Sequence, residues 1–567
     1  MRSLVLFLAL LAAALLPRPA HALVVLGWHD VRDRVDDGET DVDAISVRNL
    51  AMQLDWLRAH GYVPVSAEAV RNARAGRGTL PDKAVLLTFA GGHRSAYTHV
   101  LPLLRAFDYP ALVAVPTARV GLPAGASVRH ADGTLRTGDY LGSAELKAMQ
   151  ASGLVEFASQ GHELATPIAA TPQGDLLPAA TARRWAGGYE SERDYRERLR
   201  RDLATSADLI ERATGRRPQA VIWPAGGGSG VARSIAESLG MPLVLGTEGR
   251  SGTGDVRFAG RMRLDDEVMR AARLVAYENP GANDLAYELR RDIRLDGMRA
   301  VWLSLDDVAG ADASATSRTV DALVERVRSI RPTHVFLKAL SDGNDDGRPD
   351  AAYFPSRHLP LRADLFAHVA SRLTRRAGVQ VFAWLPAGQG SPAAEVVEEL
   401  AIAAPIAGLV FGGPDATAGE AGSAGGTSLL ESRAEQWRPD LVTIRAVSVP
   451  AGGGAAFASG LAALASNHDF VAALLPRDDR GSRGVVDRIV ADVARAPDGL
   501  DRTLFVIDAG DGTRALSAAE LEAQTRRVIA NGGRHVAYAK DDPLKDHPPL
   551  DPARAAISAR AFPYLER

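Results

Sequence analysis

The sequence contains no cysteine, which excludes disulfides, thiolate metal sites and a lipid anchor on an N-terminal cysteine. It also lacks a large excess of charge of either sign. The net charge of −3 over 567 residues predicts no attraction to nucleic acid or to an anionic membrane surface. We therefore expect a neutral or weakly charged ligand.

Long hydrophobic runs are scarce, and the single candidate lies at the N-terminus. Residues 4–16 are apolar, follow Arg2 and precede Ala20-His21-Ala22, a small-x-small sequence typical of signal-peptide cleavage sites. The run is shorter than the ~20 residues of a membrane-spanning helix, although an N-terminal anchor is the alternative interpretation. We predict a signal peptide at residues 1–22 and a mature protein free in the periplasm, with no membrane span.

Apolar, β-rich segments alternate with amphipathic segments along the chain, which predicts parallel sheets covered by helices on both faces. Six candidate strands precede a turn-rich stretch at 277–284. Eight more follow within about 270 residues, the size of a (β/α)8 barrel. A chain of 567 residues is too long for one core. We predict domains at 23–276 and 298–567, joined by a linker at 277–297.

Seven segments together carry a resemblance to one family. They are WHDV from Trp28, LPDKAVLLTF from Leu80, PQGDLLPAAT from Pro172, AVIWP from Ala220, DGRPDAAYFPSRHLPLRADLF from Asp346, VFAWLP from Val381 and AFPY from Ala561. The sequence resembles the periplasmic two-domain poly-β-1,6-N-acetyl-D-glucosamine N-deacetylases of biofilm-forming Gram-negative bacteria. These join a NodB-like polysaccharide deacetylase domain to a C-terminal glycoside hydrolase barrel. The resemblance implies an α/β fold with two (β/α) barrels.

The resemblance also shows which catalytic groups are absent. Removal of acetate from an N-acetyl sugar needs a divalent metal, a carboxylate base and a general acid. In the family, two aspartates of a TFDDG motif supply the base and one metal ligand, and two histidines of an SHxxxxH motif complete the metal site. Ala90 and Gly91 stand at the aspartate positions, and Gln160 and Ala165 at the histidine positions. We therefore expect no metal cofactor.

Other parts of the family's deacetylase site are retained. His29 corresponds to the general acid, and the resemblance implies that the adjacent Asp30 orients it. Trp223 and Pro224 keep the substrate-groove motif, whereas Ala225 replaces its tyrosine. Four further polar residues near this site either rebuild a metal site or are ordinary surface groups: His93, His99, His162 and Glu163.

The second barrel shows the same loss. Glycoside hydrolysis needs acidic residues at the strand ends that flank the bond. Asp306 survives from one of the family's two acidic strand ends, while Gly413 and Pro414 replace the other. Asp415 reaches the site only if its loop shifts, which the rigid Pro414 opposes. Four aspartates after the next strand either line a groove or form a polar turn: Asp342, Asp345, Asp346 and Asp350.

Aromatic side chains at strand ends are candidates for stacking on sugar rings. They are Trp28, Trp223, Trp302, Trp384, Tyr353 and Tyr538. For Trp302 and Trp384 the alternative is that they pack the barrel. With Pro224 and Asp306, four of these rings form the predicted substrate-binding set: Trp28, Trp223, Trp384 and Tyr538.

The losses are selective, because fold-bearing motifs persist while catalytic groups at two separate sites are gone. We predict an exported protein that binds or helps to process a poly-N-acetylglucosamine-type polysaccharide in biofilm modification or export, with impaired catalysis. The alternative is an active N-deacetylase or glycoside hydrolase with relocated groups. A third hypothesis, compatible with the first, is a scaffold that contacts exopolysaccharide export proteins.

Overall fold

The computed structural model describes most of the chain between residues 22 and 558. The described residues are 22–36, 43–130, 133–246, 261–263, 270–272, 274–275, 279–290, 297–306, 308, 312–344, 348–386, 392–413, 428–438, 441–450, 452–476, 484–510, 516–542 and 545–558. The predicted signal peptide, apart from Ala22, and the closing AFPY segment lie outside them.

The amino-terminal half is built on a largely parallel sheet, with ten strands among the described residues. Its main strands follow one another across the sheet as Ala22–Trp28, Ala84–Phe89, Ala111–Val115, Val155–Ser159, Ala220–Ile222 and Leu243–Gly246. Five of these six sequences are almost wholly apolar, as expected for strands covered on both faces. Val63–Pro64 extends the sheet beside the second of them.

Short strands bring the two edges of this sheet towards each other. Arg270–Ala272 pairs in parallel with Leu243–Gly246 at one edge. Leu274–Val275, two residues further along the chain, pairs in parallel with Ala22–Trp28 at the other. Arg261–Arg263 adds an antiparallel pairing to the same edge strand. The sheet is therefore curved into a barrel-like form.

Helices flank this sheet, and four of the six named next begin at serine caps. They are Val47–Ala59, Ala67–Arg74, Leu101–Phe107 (continuous with the π-turn Ala96–Val100), Ser143–Ala151, Glu192–Thr214 and Gly230–Ser238. Ser191 caps the longest of them by accepting a hydrogen bond from the Asp194 amide at 3.1 Å. That helix ends at Gly215, whose φ of 76° is the left-handed conformation that glycine favours.

The carboxyl-terminal half is a closed parallel barrel of eight strands. Its strands are Arg299–Leu303, His334–Lys338, Gln380–Leu385, Gly408–Phe411, Val442–Ser448, Phe470–Leu474, Thr503–Asp508 and His535–Asp541. Each overlaps one of the eight predicted strands. The predicted fold class, α/β with two barrels, is confirmed.

The helices around this barrel alternate with its strands, as in a (β/α)8 fold. They are Ala313–Ile330, Phe366–Arg372 (followed by the π-turn Leu373–Ala377), Ala394–Ala403, Ser428–Trp437, Gly454–Asn467, Val485–Ala494, Gly499–Arg502, Ala518–Ala530 and Leu550–Ile557. Trp302 fills the barrel interior, where its ring meets Phe336 edge-on with centroids 4.6 Å apart. For Trp302 the structure supports packing over sugar stacking.

The two halves pack directly against each other. A Cβ atom on Gly230 would overlap the backbone carbonyl of Gln436, so glycine permits the close approach of these two helices. Tyr189 donates its hydroxyl hydrogen bond to Asp364 at 2.7 Å, and His368 lies 2.7 Å from Asp175 across the same interface.

The helix Ala282–Arg290 lies within the predicted linker and packs on the first half. The linker residue Asn279 accepts hydrogen bonds from Ser46 and Asn49 through its side chain. The domain boundaries at 276 and 298 stay predictions. In the described part of the chain, no helix has both the length and the apolar character needed to cross a membrane.

Candidate functional site

The first candidate site lies where strands Ala84–Phe89 and Val155–Ser159 end. Gln160 follows the second strand, and its side-chain Oε1 accepts a hydrogen bond from the backbone amide of Gly91 at 2.8 Å. Gln160 is only 6% exposed. Gly91 and Gln160, two positions that the resemblance assigns to metal ligands, are therefore adjacent in space and hydrogen-bonded to each other.

The imidazole of His93 covers Gly91. A Cβ atom built on Gly91 would lie 2.7 Å from Cδ2 and 2.8 Å from Nε2 of that ring, closer than real contacts allow. Gly91 also has a φ of 98°, a conformation that strains any residue with a side chain. The Tyr140 ring packs against the His93 ring, with centroids 5.4 Å apart. The space for a side chain at position 91 is thus occupied.

Asp30 is the carboxylate that lies beside His93 in this site. Its two oxygens accept hydrogen bonds from Ser95 and Arg32, both at 2.7 Å, and His93 Nδ1 lies 3.9 Å away. Burial alone would raise the pKa of Asp30, but His93, Arg32 and Ser95 together lower the pKa below its ordinary value. Asp30 therefore stays ionised at neutral pH. The neighbouring His29 is half-buried at the end of its strand.

The segment after Gln160 is fixed by structural hydrogen bonds. His162 Nδ1 lies 3.0 Å from the Thr117 hydroxyl, and the amides of His162 and Glu163 both donate to Asp202 at 2.7 Å. Ala165 is buried. His99 lies elsewhere, with Nδ1 3.9 Å from Asp33.

The residues present do not fit the divalent metal that the family resemblance implies. Gln160 Oε1 is engaged by Gly91, and neither Gly91 nor Ala165 carries a donor atom. Within the described ranges, no three histidine, aspartate or glutamate side chains come together as a metal-binding group.

The aromatic residues predicted to bind sugar in this half are mostly buried. Trp28 is 1% exposed, donates to Gln53 at 2.9 Å and stacks on Phe89. The structure thus places Trp28 in the core rather than in a groove. Trp223 is 6% exposed, and Pro224 is also buried. Ala225, in the tyrosine position, is exposed.

The second candidate site joins four neighbouring strand ends of the barrel. Lys338 Nζ lies 2.7 Å from the carboxylate of Asp306 and 5.7 Å from the centre of the Trp384 ring. The indole of Trp384 covers Gly413, because a Cβ there would lie 2.5 Å from both Cε2 and Cζ2. Asp306, Lys338, Trp384 and Gly413 thus form a continuous row.

Asp306 is fully engaged within this row. Besides Lys338, its carboxylate accepts hydrogen bonds from Ser304 and Tyr353, each at 2.7 Å. Burial opposes ionisation, but these three partners hold the pKa of Asp306 below its ordinary value. Burial and the Asp306 charge raise the pKa of the Tyr353 hydroxyl. Asp306 is therefore an anion at neutral pH and unsuited to donating a proton.

Other predicted residues of the second half do not join this row. Tyr538 is fully buried and donates to Asp541 at 2.9 Å, so the structure places it in the core rather than on a sugar. Asp350 accepts from the Gly343 amide at 3.0 Å, the behaviour of a polar turn. Four residues lie outside the described ranges: Asp345, Asp346, Pro414 and Asp415.

Sequence analysis missed Lys338. Its signal was present, because a lysine closes the otherwise apolar strand His334–Lys338. Charged residues at the carboxyl ends of barrel strands are candidates for the functional face. His93 was named, but its position over Gly91 follows only from the folded chain.

Two family models match the chain. Residues 77–244 match the one described as polysaccharide deacetylase, and residues 302–388 match the one described as hypothetical glycosyl hydrolase family 13. The first covers the strands that surround Gly91 and Gln160. The second covers three strand ends of the barrel, including Asp306, Lys338 and Trp384.

Two curated relatives are named poly-beta-1,6-N-acetyl-D-glucosamine N-deacetylase, one from Escherichia coli strain K12 and one from Escherichia coli O157:H7. Each is 32% identical over 375 residues, which cover 65% of this chain and 54% of the relative. The chain thus spans about half the length of the curated relatives it matches. The resemblance stated from the motifs is confirmed.

Three solved structures are also similar to parts of the chain. A de-N-acetylase from Aggregatibacter actinomycetemcomitans is 28% identical, with a TM-score of 0.42, and the match covers 47% of this chain and 99% of that one. The BpsB deacetylase domain from Bordetella bronchiseptica is 34% identical, with a TM-score of 0.39 and coverages of 45% and 96%. The PgaB (BpsB) glycoside hydrolase domain from the same organism is 26% identical, with a TM-score of 0.40 and coverages of 46% and 99%.

Proposed function

We propose that this relative of the poly-N-acetylglucosamine N-deacetylases binds or helps to process a β-1,6-linked N-acetylglucosamine polymer without catalysing its deacetylation. The observation that carries the proposal is the first site, where Gly91 bonds to Gln160 and lies under the His93 ring. A metal and a base need the space and the donor atoms that these contacts remove.

The second site supports the same conclusion for glycoside hydrolysis. That reaction uses two carboxyl groups on opposite sides of the bond. Asp306 keeps one carboxylate, but Lys338 neutralises it, and Trp384 occupies the space beside Gly413. The half-buried Trp384 ring and the Asp306–Lys338 pair offer a surface on which a sugar can stack and hydrogen-bond.

The proposal includes export and a place in polysaccharide handling. The apolar run at 4–16, followed by the cleavage-type sequence that ends at Ala22, supports passage to the periplasm. The two curated relatives act, by their names, on poly-β-1,6-N-acetyl-D-glucosamine. We extend that polymer class to this chain, with exopolysaccharide export proteins as further partners and biofilm polysaccharide as the setting.

A second candidate is an active hydrolase with relocated groups. One observation favours it: His93 lies 3.9 Å from the ionised Asp30, an arrangement that a general base could use. The two candidates differ in whether the unaltered protein releases acetate, so one assay separates them.

The test incubates purified protein with β-1,6-linked N-acetylglucosamine oligomers and Zn²⁺, Co²⁺ or Ni²⁺, and measures released acetate. Oligomer binding is measured in parallel by calorimetry. We expect binding without acetate. A matched variant carries Ala90→Asp, Gly91→Asp, Gln160→His and Ala165→His together with His93→Ala, and we expect it to gain acetate release.

Acetate from the unaltered protein would contradict the proposal and favour the second candidate. An unaltered protein that neither binds the oligomers nor releases acetate would contradict the choice of polymer. His93→Ala alone serves as the control, since it opens the site without adding ligands.

A further inference from the structure

A cavity of about 370 Å³ lies between the two halves, away from both strand-end sites. One wall is the 170–192 segment of the first half, with Arg183, Tyr189 and Ser191. The opposite wall comes from the second barrel, with Ser356 and Arg357. Its size falls in the range of ~300–1,000 Å³ typical of small-molecule pockets.

Arg183 is the unusual residue of this cavity. Its guanidinium has no hydrogen bond or ion pair with any residue in the described ranges, and Nε is sealed from solvent. Its contact is with the ring of Trp437, 5.8 Å from the ring centre. Partial burial lowers the pKa of the Arg183 guanidinium, which has no carboxylate paired with it. Such an arrangement costs free energy that an anion would offset.

The acidic residues in the cavity wall are already engaged elsewhere. Glu399 bonds to Arg357 at 2.8 Å and to the Ser356 hydroxyl at 2.6 Å. Glu398 accepts a hydrogen bond from the Trp437 indole at 2.9 Å. The charge of Glu192 partly opposes the lowering of the Arg183 pKa, but its carboxylate pairs with Arg196 at 2.8 Å. Each of these carboxylates therefore has a hydrogen-bonding partner other than Arg183.

The rest of the wall suits a sugar-sized ligand. Ser191, Tyr189 and Ser356 line the space beside Arg183. Their hydroxyls already donate to Asp194, Asp364 and Glu399, so they can meet a sugar only by accepting hydrogen bonds from its hydroxyls. A guanidinium pairs with a carboxylate or phosphate through parallel hydrogen bonds.

We propose that this interdomain cavity binds a monosaccharide-sized ligand carrying an oxyanion, with Arg183 contacting the anionic group and the hydroxyl side chains contacting the sugar. Because both halves form the walls, the bound ligand ties them together and stabilises the folded chain. The cavity is separate from the two strand-end sites, so the proposal does not depend on the function proposed above.

The test titrates the purified full-length protein with D-glucuronate, D-glucose 6-phosphate and D-glucose by isothermal calorimetry. We expect at least one of the two acidic sugars to bind and D-glucose to bind at least about tenfold more weakly, the size of one charge-assisted hydrogen bond. Binding of glucuronate would show that the cavity takes a sugar carboxylate, and binding of glucose 6-phosphate would show that it takes a sugar phosphate. The bound sugar should also raise the melting temperature.

Arg183→Gln should lower the affinity for the acidic sugar at least about tenfold and abolish the rise in melting temperature that the sugar causes. Arg193→Gln is the matched control, because Arg193 is exposed on the neighbouring helix and outside the cavity wall. If Arg183→Gln fails to fold, Arg183→Lys keeps the charge but not the fork of donors, and should bind with intermediate affinity. The proposal is overturned if none of the sugars binds, if glucose binds as tightly as the acids, or if the Arg183 variants bind like the unaltered protein.

Discussion

In each of the two strand-end sites a neighbouring ring covers a glycine, but the two glycines differ in backbone conformation. Gly91 has a φ of 98°, in the left-handed region, and the His93 imidazole covers it. At Gly413 the Trp384 indole occupies the space where a side chain would lie, and Lys338 lies over that indole. The comparison indicates that a ring opposes a larger side chain at both positions, and that the backbone adds a second obstacle at Gly91.

The retained acids differ as well. Asp30 is held by Arg32 and Ser95 and lies near His93. Asp306 is bonded to a lysine and a tyrosine that reach it from other parts of the chain. The first acid thus keeps a histidine neighbour of the kind used in proton transfer, while the second is locked in a structural network.

The largest effect is expected from restoring an acid at the second site. Gly413→Asp forces the Trp384 ring out of its position and breaks its contact with Lys338. We expect a loss of about 3 kcal/mol in the free energy of unfolding, the upper part of the range for overpacking. Denaturant unfolding followed by fluorescence measures it.

The control is Gly78→Asp, at a position where a Cβ meets nothing within 4 Å. It should change stability by less than about 0.5 kcal/mol. Gly413→Asp should cost less stability in a Trp384→Ala background than in the unaltered protein if the ring is the obstacle. An equal loss of unfolding free energy in Gly413→Asp and Gly78→Asp would show that the Trp384 ring is not the cause.

The next effect is expected at the first site. Gly91→Asp should cost about 2 kcal/mol, since the left-handed backbone strains the new residue and the His93 ring must shift. Gly76→Asp is matched for the backbone alone, with a φ of 70° and no atom within 4 Å of a Cβ. Urea unfolding measures the free energy of unfolding of both variants. The amount by which Gly91→Asp loses more stability than Gly76→Asp is the contribution of the His93 ring. Equal stability losses in Gly91→Asp and Gly76→Asp would mean that the His93 ring moves aside without cost.

The smallest effect concerns the Asp306–Lys338 pair. Lys338→Met should lower the free energy of unfolding by about 1 kcal/mol at pH 7, because a partly exposed ion pair contributes little to stability. The pKa of Asp306 is lowered in the folded state, so the pair stabilises the fold above the ordinary aspartate pKa of about 3.9 and loses that contribution as the pH falls through the folded pKa. The stability difference between the two proteins should therefore shrink below about pH 4. A difference that grows on acidification would contradict the assignment.

Much of the fold was predictable because its strands are long, apolar runs. All eight barrel strands were found in this way. The strands Arg270–Ala272 and Leu274–Val275 were not, since two or three residues carry no periodic signal and the first begins with arginine. Their place is set by pairing with distant edge strands.

The sites were predictable in outline only. The motifs predicted Gly91, Gln160 and Gly413 as replaced positions, which stays a prediction, and the structure brings the first two together. The burial of Trp28 and Tyr538 was not predictable, because a strand-end aromatic can face a groove or the core. Which ring covers which glycine depends on packing between segments far apart in sequence.

The central claim is that the His93 ring blocks the first site. The direct test compares Zn²⁺ affinity, by calorimetry, of two variants that share Ala90→Asp, Gly91→Asp, Gln160→His and Ala165→His. One keeps His93, and the other adds His93→Ala. The account predicts that Zn²⁺ binds tightly only when the ring is removed, even though a histidine is lost. Equal Zn²⁺ affinity of the two variants, or tighter binding with His93 present, would contradict it.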